Sequence, residues 1–501
     1  MIALSLARIA EIVGGTLHDA QDPDAVVAGS VEFDSRKIGS GDLFLALPGA
    51  RADGHDHAPA AIAAGAVAVL AARPVGVPAI VVPPLAVDPE QASGAMALEH
   101  DADGSGAAVL AALAKLTRAV VDDLRARTGL TVVGVTGSSG KTSTKDLLAA
   151  VLRPLGPVVA PPGSFNNELG HPWTALRADE ETRSLVLELS ARGIGHIAAL
   201  AQVAPPRIGV VLNVGTAHLG EFGSREAIAQ TKGELVEALP PAADGGVAVL
   251  NADDSLVAAM ASRTQARVVT VGQAAGADVR AVDVVLDDEA RARFVLVCAA
   301  GRVDVTLAVH GEHQVGNALA AAAVALECGL GLDDIAAALG GAAAASARRM
   351  DVRTRADGVT VINDSYNANP DSMRAGLKAL VSMARSADRL RRSWAVLGEM
   401  GELGEESVIE HDAIGRFAVR LDVTRFVVVG GGRPCRAMYQ GAVQEGSWGD
   451  EALHVPDARA AIELLDAELE PGDLVLVKAS QSIGLWTVAE HLLGDTTEVG
   501  N

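Results

Sequence analysis

The chain has 501 residues, a formal charge of −22 and 49% hydrophobic residues, which bounds it to roughly three globular units with cores of their own. So acidic a chain excludes nucleic acid or an anionic membrane as its main partner, and a phosphate-bearing ligand must meet locally basic ground. Cys298, Cys328 and Cys435 lie far apart in apolar contexts; they make neither a disulfide framework nor a metal-binding pair, which fits a reducing cytoplasm.

In chain order, Met1 to Glu11 reads as a short amphipathic helix rather than a signal peptide, lacking a basic start and a long apolar core. Asp34-Ser-Arg36 reads by itself as a solvated turn. The longest apolar run, residues 60–72, is Ala-rich and shorter than the roughly 18 residues a membrane span needs. Residues 88–107 are rich in Asp, Glu, Gly and Ala without a period, and read as a surface loop or linker.

A β-branched strand, Thr131–Thr136, then runs into Gly137-Ser-Ser-Gly-Lys-Thr-Ser143 and a helical segment. Glycine-rich turns that open a helix present backbone N–H groups and a positive dipole to phosphate. Lys141 can reach the terminal phosphates, and the Thr142 hydroxyl can ligate Mg²⁺. The strict phosphate-loop pattern wants glycine where Val135 stands, so this is a variant loop. An ordinary Gly/Ser-rich turn is the competing reading.

Further strands, Leu185–Ser190, Ile208–Val214 and Val247–Asn251, alternate with helical stretches. Near-continuous Val/Leu/Ile runs of this kind indicate a parallel sheet covered on both faces. Glu188, in an apolar strand, needs a cation or an arginine partner. His218 follows a strand end and is open to a structural or a metal-binding role. Ser224 caps a helix whose inward face carries Ile228, Lys232, Leu235 and Leu239. A desolvated Lys232 amine can take up CO₂ as a carbamate; alternatively its stem lines the core while its head stays in water.

Asn317 reads an adenine edge or caps a helix. A second small-residue break at 340–348 precedes Arg348 and Arg349, which either clamp phosphate or are solvated linker charges. The last block repeats the strand–helix alternation with Val359–Asn363, Trp394–Gly398, Phe426–Gly430 and Leu474–Lys478. Asp364, at a strand end, suits a ribose hydroxyl or ordinary turn chemistry.

Together these residues resemble the Mur ligases, the cytoplasmic ATP-dependent enzymes that build the peptidoglycan stem peptide. The resemblance rests on Gly134-Val-Thr-Gly-Ser-Ser-Gly-Lys-Thr142, Gly163-Ser-Phe-Asn-Asn167, Ala217-His-Leu-Gly220, Lys232-Gly-Glu234, Asp364-Ser-Tyr-Asn-Ala-Asn-Pro370 and Gly398-Glu-Met-Gly-Glu-Leu-Gly404, and covers essentially the whole chain. The Asn-Asn and Ser-Tyr-Asn-Ala-Asn-Pro segments favour the member that adds D-alanyl-D-alanine to UDP-N-acetylmuramoyl-tripeptide.

The resemblance implies three α/β domains. They are a small UDP-substrate-binding domain (1–107), a central phosphate-loop ATPase-like parallel sheet with helices on both faces (108–346), and a Rossmann-like domain (347–501). It implies ATP held by Thr136, Gly137, Ser138, Ser139, Gly140, Lys141, Thr142, Ser143, Asn317, Arg349 and Asp364. It implies two Mg²⁺ ions, one on Thr142 and Glu188, the other on His218 and N-carbamylated Lys232, with Lys141, Glu188, His218 and Lys232 as the catalytic set. Ser35, Arg36, Asn166 and Asn167 are the expected substrate contacts. A cytoplasmic monomer without membrane insertion is expected. Two positions depart from the family pattern: Gln314 replaces an asparagine, and Gln481 replaces an arginine expected to meet substrate. Other readings are the third-residue-adding Mur ligase, a folylpolyglutamate synthase, and an inactive nucleotide-binding scaffold.

Overall fold

The computed structural model describes residues 1–50, 52–85, 98, 100–215, 219–386, 390–446, 449 and 451–495. Ser5 caps the first helix, Leu6–Val13, accepting from the Arg8 N–H at 3.3 Å, and Gly14 closes it at φ 74°. Its Leu6, Ile9, Ala10 and Val13 face inward, as the amphipathic pattern requires. The N-terminal unit is a five-stranded sheet in the order Thr16–His18, Ala79–Val81, Ala68–Ala71, Leu43–Leu45, Val31–Glu32. Only the first of these runs antiparallel to its neighbour.

One polar cluster braces this unit. His55 is buried; its Nδ1 lies 2.7 Å from Asp53 Oδ1, while its Nε2 accepts the Ala72 N–H at 3.0 Å. With Nε2 accepting, the ring proton sits on Nδ1 and is donated to Asp53. Burial alone would raise the Asp53 carboxyl, but hydrogen bonds from the His55 backbone, the His55 ring and Arg73 outweigh it and hold the group at about 2, against an ordinary 3.8. A carboxyl depressed in the folded state stabilises above its ordinary value and loses that contribution as pH falls toward the folded one. Asp53→Asn is therefore expected to cost about 1–2 kcal/mol at neutral pH, allowing for partial exposure, and to reduce the further acid-induced loss below about pH 4. Chemical denaturation of both proteins at neutral and acid pH measures the difference.

The central unit is a nine-stranded sheet ordered Gly301–His310, Arg291–Cys298, Val279–Leu286, Arg267–Gly272, Val247–Asn251, Ile208–Val211, Thr131–Thr136, Ser184–Glu188, Val158–Val159. From Val279–Leu286 to Val158–Val159 every pairing is parallel. Val133, Val135, Val186 and Val210 pack on one face beneath Lys141–Leu152 and the Ala-rich helix Gln314–Glu327. Leu185 and Leu187 pack on the other face beneath Ser105–Thr128, and Val211 and Leu250 beneath Arg225–Glu237. The two outer strands are antiparallel and were not expected. Their residues alternate between buried and open positions, with Arg291, Arg293, Arg302 and Asp304 among the polar ones, so they lack the continuous apolar runs of the interior strands.

The helix Ser105–Thr128 begins inside the stretch read as a linker. Lys115 Nζ donates to Val13 O at 3.3 Å, whereas Arg118 and Arg125 donate to Gln202 O and Pro205 O at 3.0 and 3.3 Å. One apolar core accordingly contains Leu6 and Ile9 with Leu113, Val132 and Leu185.

The C-terminal unit is a six-stranded sheet ordered Asp351–Thr354, Thr360–Asn363, Leu474–Lys478, Ser393–Leu397, Arg425–Val429, Ala452–Val455. It is parallel apart from the first strand, and both faces carry apolar clusters. In both larger sheets the polar residues of interest stand at or just beyond the carboxyl ends of strands. Among the described residues no helix is long and apolar enough to cross a membrane.

Candidate functional site

Gly140 takes a left-handed conformation, φ 83°, as the cap of helix Lys141–Leu152. A Cβ there would also stand 2.7 Å from Asn317 Oδ1, so both backbone shape and a neighbouring side chain demand glycine. Val135 is fully buried and pairs in register with Glu188 on one side and Val210 on the other. It is a core strand position, not a position in the loop.

The loop is braced from below by the segment after Ile208–Val211. The Ser138 N–H donates to Asn213 O at 3.2 Å, the Ser139 N–H to Asn213 Oδ1 at 2.9 Å, and Gly215 N–H to Ser138 Oγ at 2.9 Å. The amides of Ser138 and Ser139 are thus engaged with Asn213, and Thr136 Oγ1 donates to Leu189 O at 2.9 Å. The anion-facing N–H groups are those of the first helical turn, Lys141 to Ser143, which have no acceptor within the helix. Lys141 Nζ folds back onto Gly137 O at 2.7 Å. Burial lowers its pKa, the carboxylate of Glu188 raises it and the Arg349 guanidinium lowers it again.

Glu188 is 0% exposed. Its Oε2 accepts from Thr142 Oγ1 at 3.3 Å, Ser164 Oγ at 3.2 Å and Asn166 Nδ2 at 3.4 Å, while Oε1 is buried with no hydrogen-bond partner. No arginine pairs with it among the described residues. A buried carboxylate oxygen left without a donor is costly, and beside the Thr142 hydroxyl it suits a hard divalent cation.

Lys232 lies on Arg225–Glu237, which Ser224 caps through the Ala227 N–H at 3.1 Å. At 6% exposure its head is out of bulk water, so the snorkelling alternative does not hold. Burial, and then the nearby Lys141 charge, push its pKa well below the ordinary value, and no carboxylate among the described residues opposes them. The rest of this motif is structural. Glu234 accepts from the Gly195 and Ala198 N–H groups at 2.6 and 3.0 Å, capping the helix His196–Val203. A side chain at Gly233 would collide with the Arg263 guanidinium. His218 lies outside the described residues.

Asn317 is buried beside Gly140, and its Nδ2 donates to Gln314 Oε1 at 2.9 Å. The departure at Gln314 therefore still supplies an acceptor that orients Asn317. Arg349 stacks on the Tyr366 ring at 4.2 Å and reaches Thr142 Oγ1 at 3.5 Å, with its Nε buried and unpartnered. Arg348 instead pairs with Glu490 at 2.6 Å over the Trp486 ring.

Asp364 is 7% exposed and committed to Lys478 Nζ at 2.6 Å and the Met350 N–H at 3.1 Å. In this arrangement it brings no exposed carboxylate to a ligand. Ser35 and Arg36 lie apart from the loop on a short helical turn capped by Asp34. The Arg36 side chain, 88% exposed, forms a two-pronged pair with Asp34 at 2.9 Å.

A cavity of about 1070 Å³ opens above the phosphate loop. All three units line it: Leu85 and Ala107 from the first, Asn166, Asn167 and Arg192 from the second, Asn369 and Gln481 from the third. The second and third units touch directly. Asn369 Nδ2 donates to Ser138 O at 3.4 Å and Arg192 Nη2 to Glu402 Oε1 at 3.0 Å. The backbones of Gly220 and Gly404 meet so closely that a Cβ on Gly404 would lie 2.6 Å from Gly220 Cα. Sequence reasoning passed over Ser164, Asn213, Tyr366 and Lys478 as individual site residues, although each sits in or beside a stretch it singled out.

Family models match three stretches of the chain: the Mur ligase family catalytic domain at 29–118, the Mur ligase middle domain at 135–325, and the Mur ligase glutamate ligase domain at 348–481. The chain is 63% identical to the UDP-N-acetylmuramoyl-tripeptide–D-alanyl-D-alanine ligase of Mycobacterium bovis over 511 aligned positions, covering 99% of each. It superposes on the crystal structure of MurF from Acinetobacter baumannii with a TM-score of 0.81 at 30% identity, over 99% of both chains. Against MurF ligase from Thermotoga maritima in complex with ADP the TM-score is 0.73 at 28% identity, over 93% of this chain and 98% of that one.

Proposed function

This chain belongs to the Mur ligase family, and on that premise we propose that it joins D-alanyl-D-alanine to UDP-N-acetylmuramoyl-tripeptide with cleavage of ATP to ADP and phosphate. The observation that carries this reading is the shared cavity: the phosphate loop faces Asn166 and Asn167 on one wall and Asn369 and Gln481 on another. A site walled by three units suits a reaction with three substrates.

The terminal carboxylate of the tripeptide attacks the γ-phosphorus, and ADP leaves. The amine of D-alanyl-D-alanine then attacks the acyl phosphate through a tetrahedral intermediate, loses a proton and expels phosphate. Lys141 swings from Gly137 O to the β- and γ-phosphates, and the first-turn amides hold their oxygens. Asn317 and Arg349 meet the nucleotide from either side of the loop. Asp364 joins them once its pairing with Lys478 loosens. Ser35 and Arg36 hold the uridine nucleotide, and Asn166 and Asn167 the peptide end.

Glu188 with Thr142 fits one Mg²⁺, the unpartnered Oε1 being the supporting observation. His218 and an N-carbamylated Lys232 would hold a second. Such ions offset the repulsion between a carboxylate nucleophile and a triphosphate. The domain division at 107 and 346, a monomeric state and a cytoplasmic location belong to the same reading.

An ADP-release assay with both common tripeptides and several acceptors, with products weighed by mass spectrometry, tests it. Amide product and ADP should form together only with D-alanyl-D-alanine. ADP release that instead needs meso-diaminopimelate, lysine or glutamate would reassign the chain within its superfamily. Nucleotide binding without any phosphate release would favour a scaffold.

A further inference from the structure

Four residues beyond Lys141 on the same helix, Lys145 is 2% exposed, and no step above uses it. Its ammonium has three acceptors: the Asp146 carboxylate, Pro161 O at 2.9 Å and Ser346 Oγ at 3.0 Å. Ser346 answers with two donors, its N–H to Asp146 Oδ2 at 3.0 Å and its Oγ to Asp146 Oδ1 at 3.2 Å. Every strong donor and acceptor in this buried group is satisfied, which is the condition for such a charge to specify geometry rather than merely destabilise.

Three segments meet there. The first is the helix that the phosphate loop opens. The second follows Pro161 and carries Ser164 and Asn166, which fix Glu188 Oε2. The third is the connection between the central and C-terminal units, where Arg349 stands three residues after Ser346 and reaches Thr142. Of the contact partners of Lys145, Pro161 therefore lies just upstream of the residues that hold the Glu188 carboxylate, and Ser346 just upstream of the Arg349 guanidinium, the two groups that flank the Thr142 hydroxyl.

We propose that Lys145, Asp146 and Ser346 form a positioning clasp that sets Glu188 and Arg349 against the bound nucleotide and anchors the connection between the central and C-terminal units. The clasp touches no reacting atom; it acts through the residues it places. Its catalytic consequence rests on the ligase reading above, whereas its effect on nucleotide binding does not.

Ser346→Ala removes the hydroxyl that joins Lys145 to Asp146 and keeps the backbone donor; Ser346→Thr keeps the hydroxyl. The alanine variant should lower kcat and weaken ADP binding by roughly tenfold each, the scale of one hydrogen bond to a charged group. The KM for the UDP-linked tripeptide should match that of the parent, the melting temperature should fall by no more than a few degrees, and the threonine variant should recover most of the losses in kcat and ADP affinity. Parent-like kcat and ADP affinity in Ser346→Ala would overturn the clasp. So would a loss spread equally over all three substrates, or one that follows the melting temperature and is not recovered by threonine. If the parent makes no amide at all, the ligase reading fails, and calorimetric ADP affinities of parent and Ser346→Ala still decide the clasp.

Discussion

Glu188→Gln should lower ligase turnover by about three orders of magnitude or more while leaving the protein folded, the scale seen when charge stabilisation of a transferring phosphoryl group is lost. The substitution keeps the shape of the side chain. Its amide oxygen can still accept from Thr142, Ser164 and Asn166, so the local hydrogen-bond set survives. What disappears is the negative charge; the amide NH2 that takes the place of Oε1 is a buried group without a protein partner, as that oxygen was. The Glu188 carboxylate also offsets part of the burial cost of the Lys141 ammonium, so without magnesium the melting temperature should hold or fall by a few degrees, too little to account for the lost turnover. ADP release measured across a magnesium titration, alongside thermal melting, separates the two effects. Turnover within tenfold of the parent at the parent's magnesium requirement would remove Glu188 from the metal-binding role.

The cost of reading this site from sequence lay in what side chains do to one another. The parallel strands were legible because burial on both faces forces continuous apolar runs, and Thr131–Thr136, Val247–Asn251 and Leu474–Lys478 stand where those runs stand. The Ser224 cap and the inward Lys232 were legible from helical spacing alone. The antiparallel edge was not, since a strand buried on one face mixes arginines and aspartates with its apolar residues. The helix Ser105–Thr128 was partly hidden because its first turn, Ser-Gly-Ala-Ala, has a linker's composition and is held by Asp101, which accepts from the Gly106 and Ala107 N–H groups at 2.9 and 2.8 Å. Asp364 reads from sequence as a ribose ligand or a turn residue because nothing within its own strand announces Lys478, 114 residues away.

The contacts between the second and third units depend on small residues as much as on polar ones. Gly220 and Gly404 approach through backbone, where only glycine fits, and Arg192 spans from the central unit to Glu402. Both glycines belong to stretches on which the family resemblance rests, yet neither carries a functional group. Their chemistry is the absence of a side chain: they let two surfaces come into register with Arg349 over Thr142 and Asn369 against the loop.

Lys232→Ala should abolish most turnover, by about 10³-fold, and a short-chain carboxylate should restore part of it. A neutral amine adds CO₂ to give an N-carboxylate and releases a proton, and a buried amine near another cation is the kind that is neutral. Lys232 meets both conditions: 6% exposed, without a paired carboxylate among the described residues, and close enough to Lys141 for that charge to disfavour its own. The carbamate would supply the negative charge this neighbourhood lacks. A small acid diffusing into the space left by alanine can stand in for it, whereas an amine cannot. A structural lysine predicts the opposite pattern, with turnover tracking stability and indifferent to added acid. Activity of the variant with and without added acetate or propionate, set against its melting temperature, distinguishes them. Near-parent turnover in the alanine variant would end the carbamate reading, and an equal response to acetate and methylamine would point to filling of the space rather than to charge.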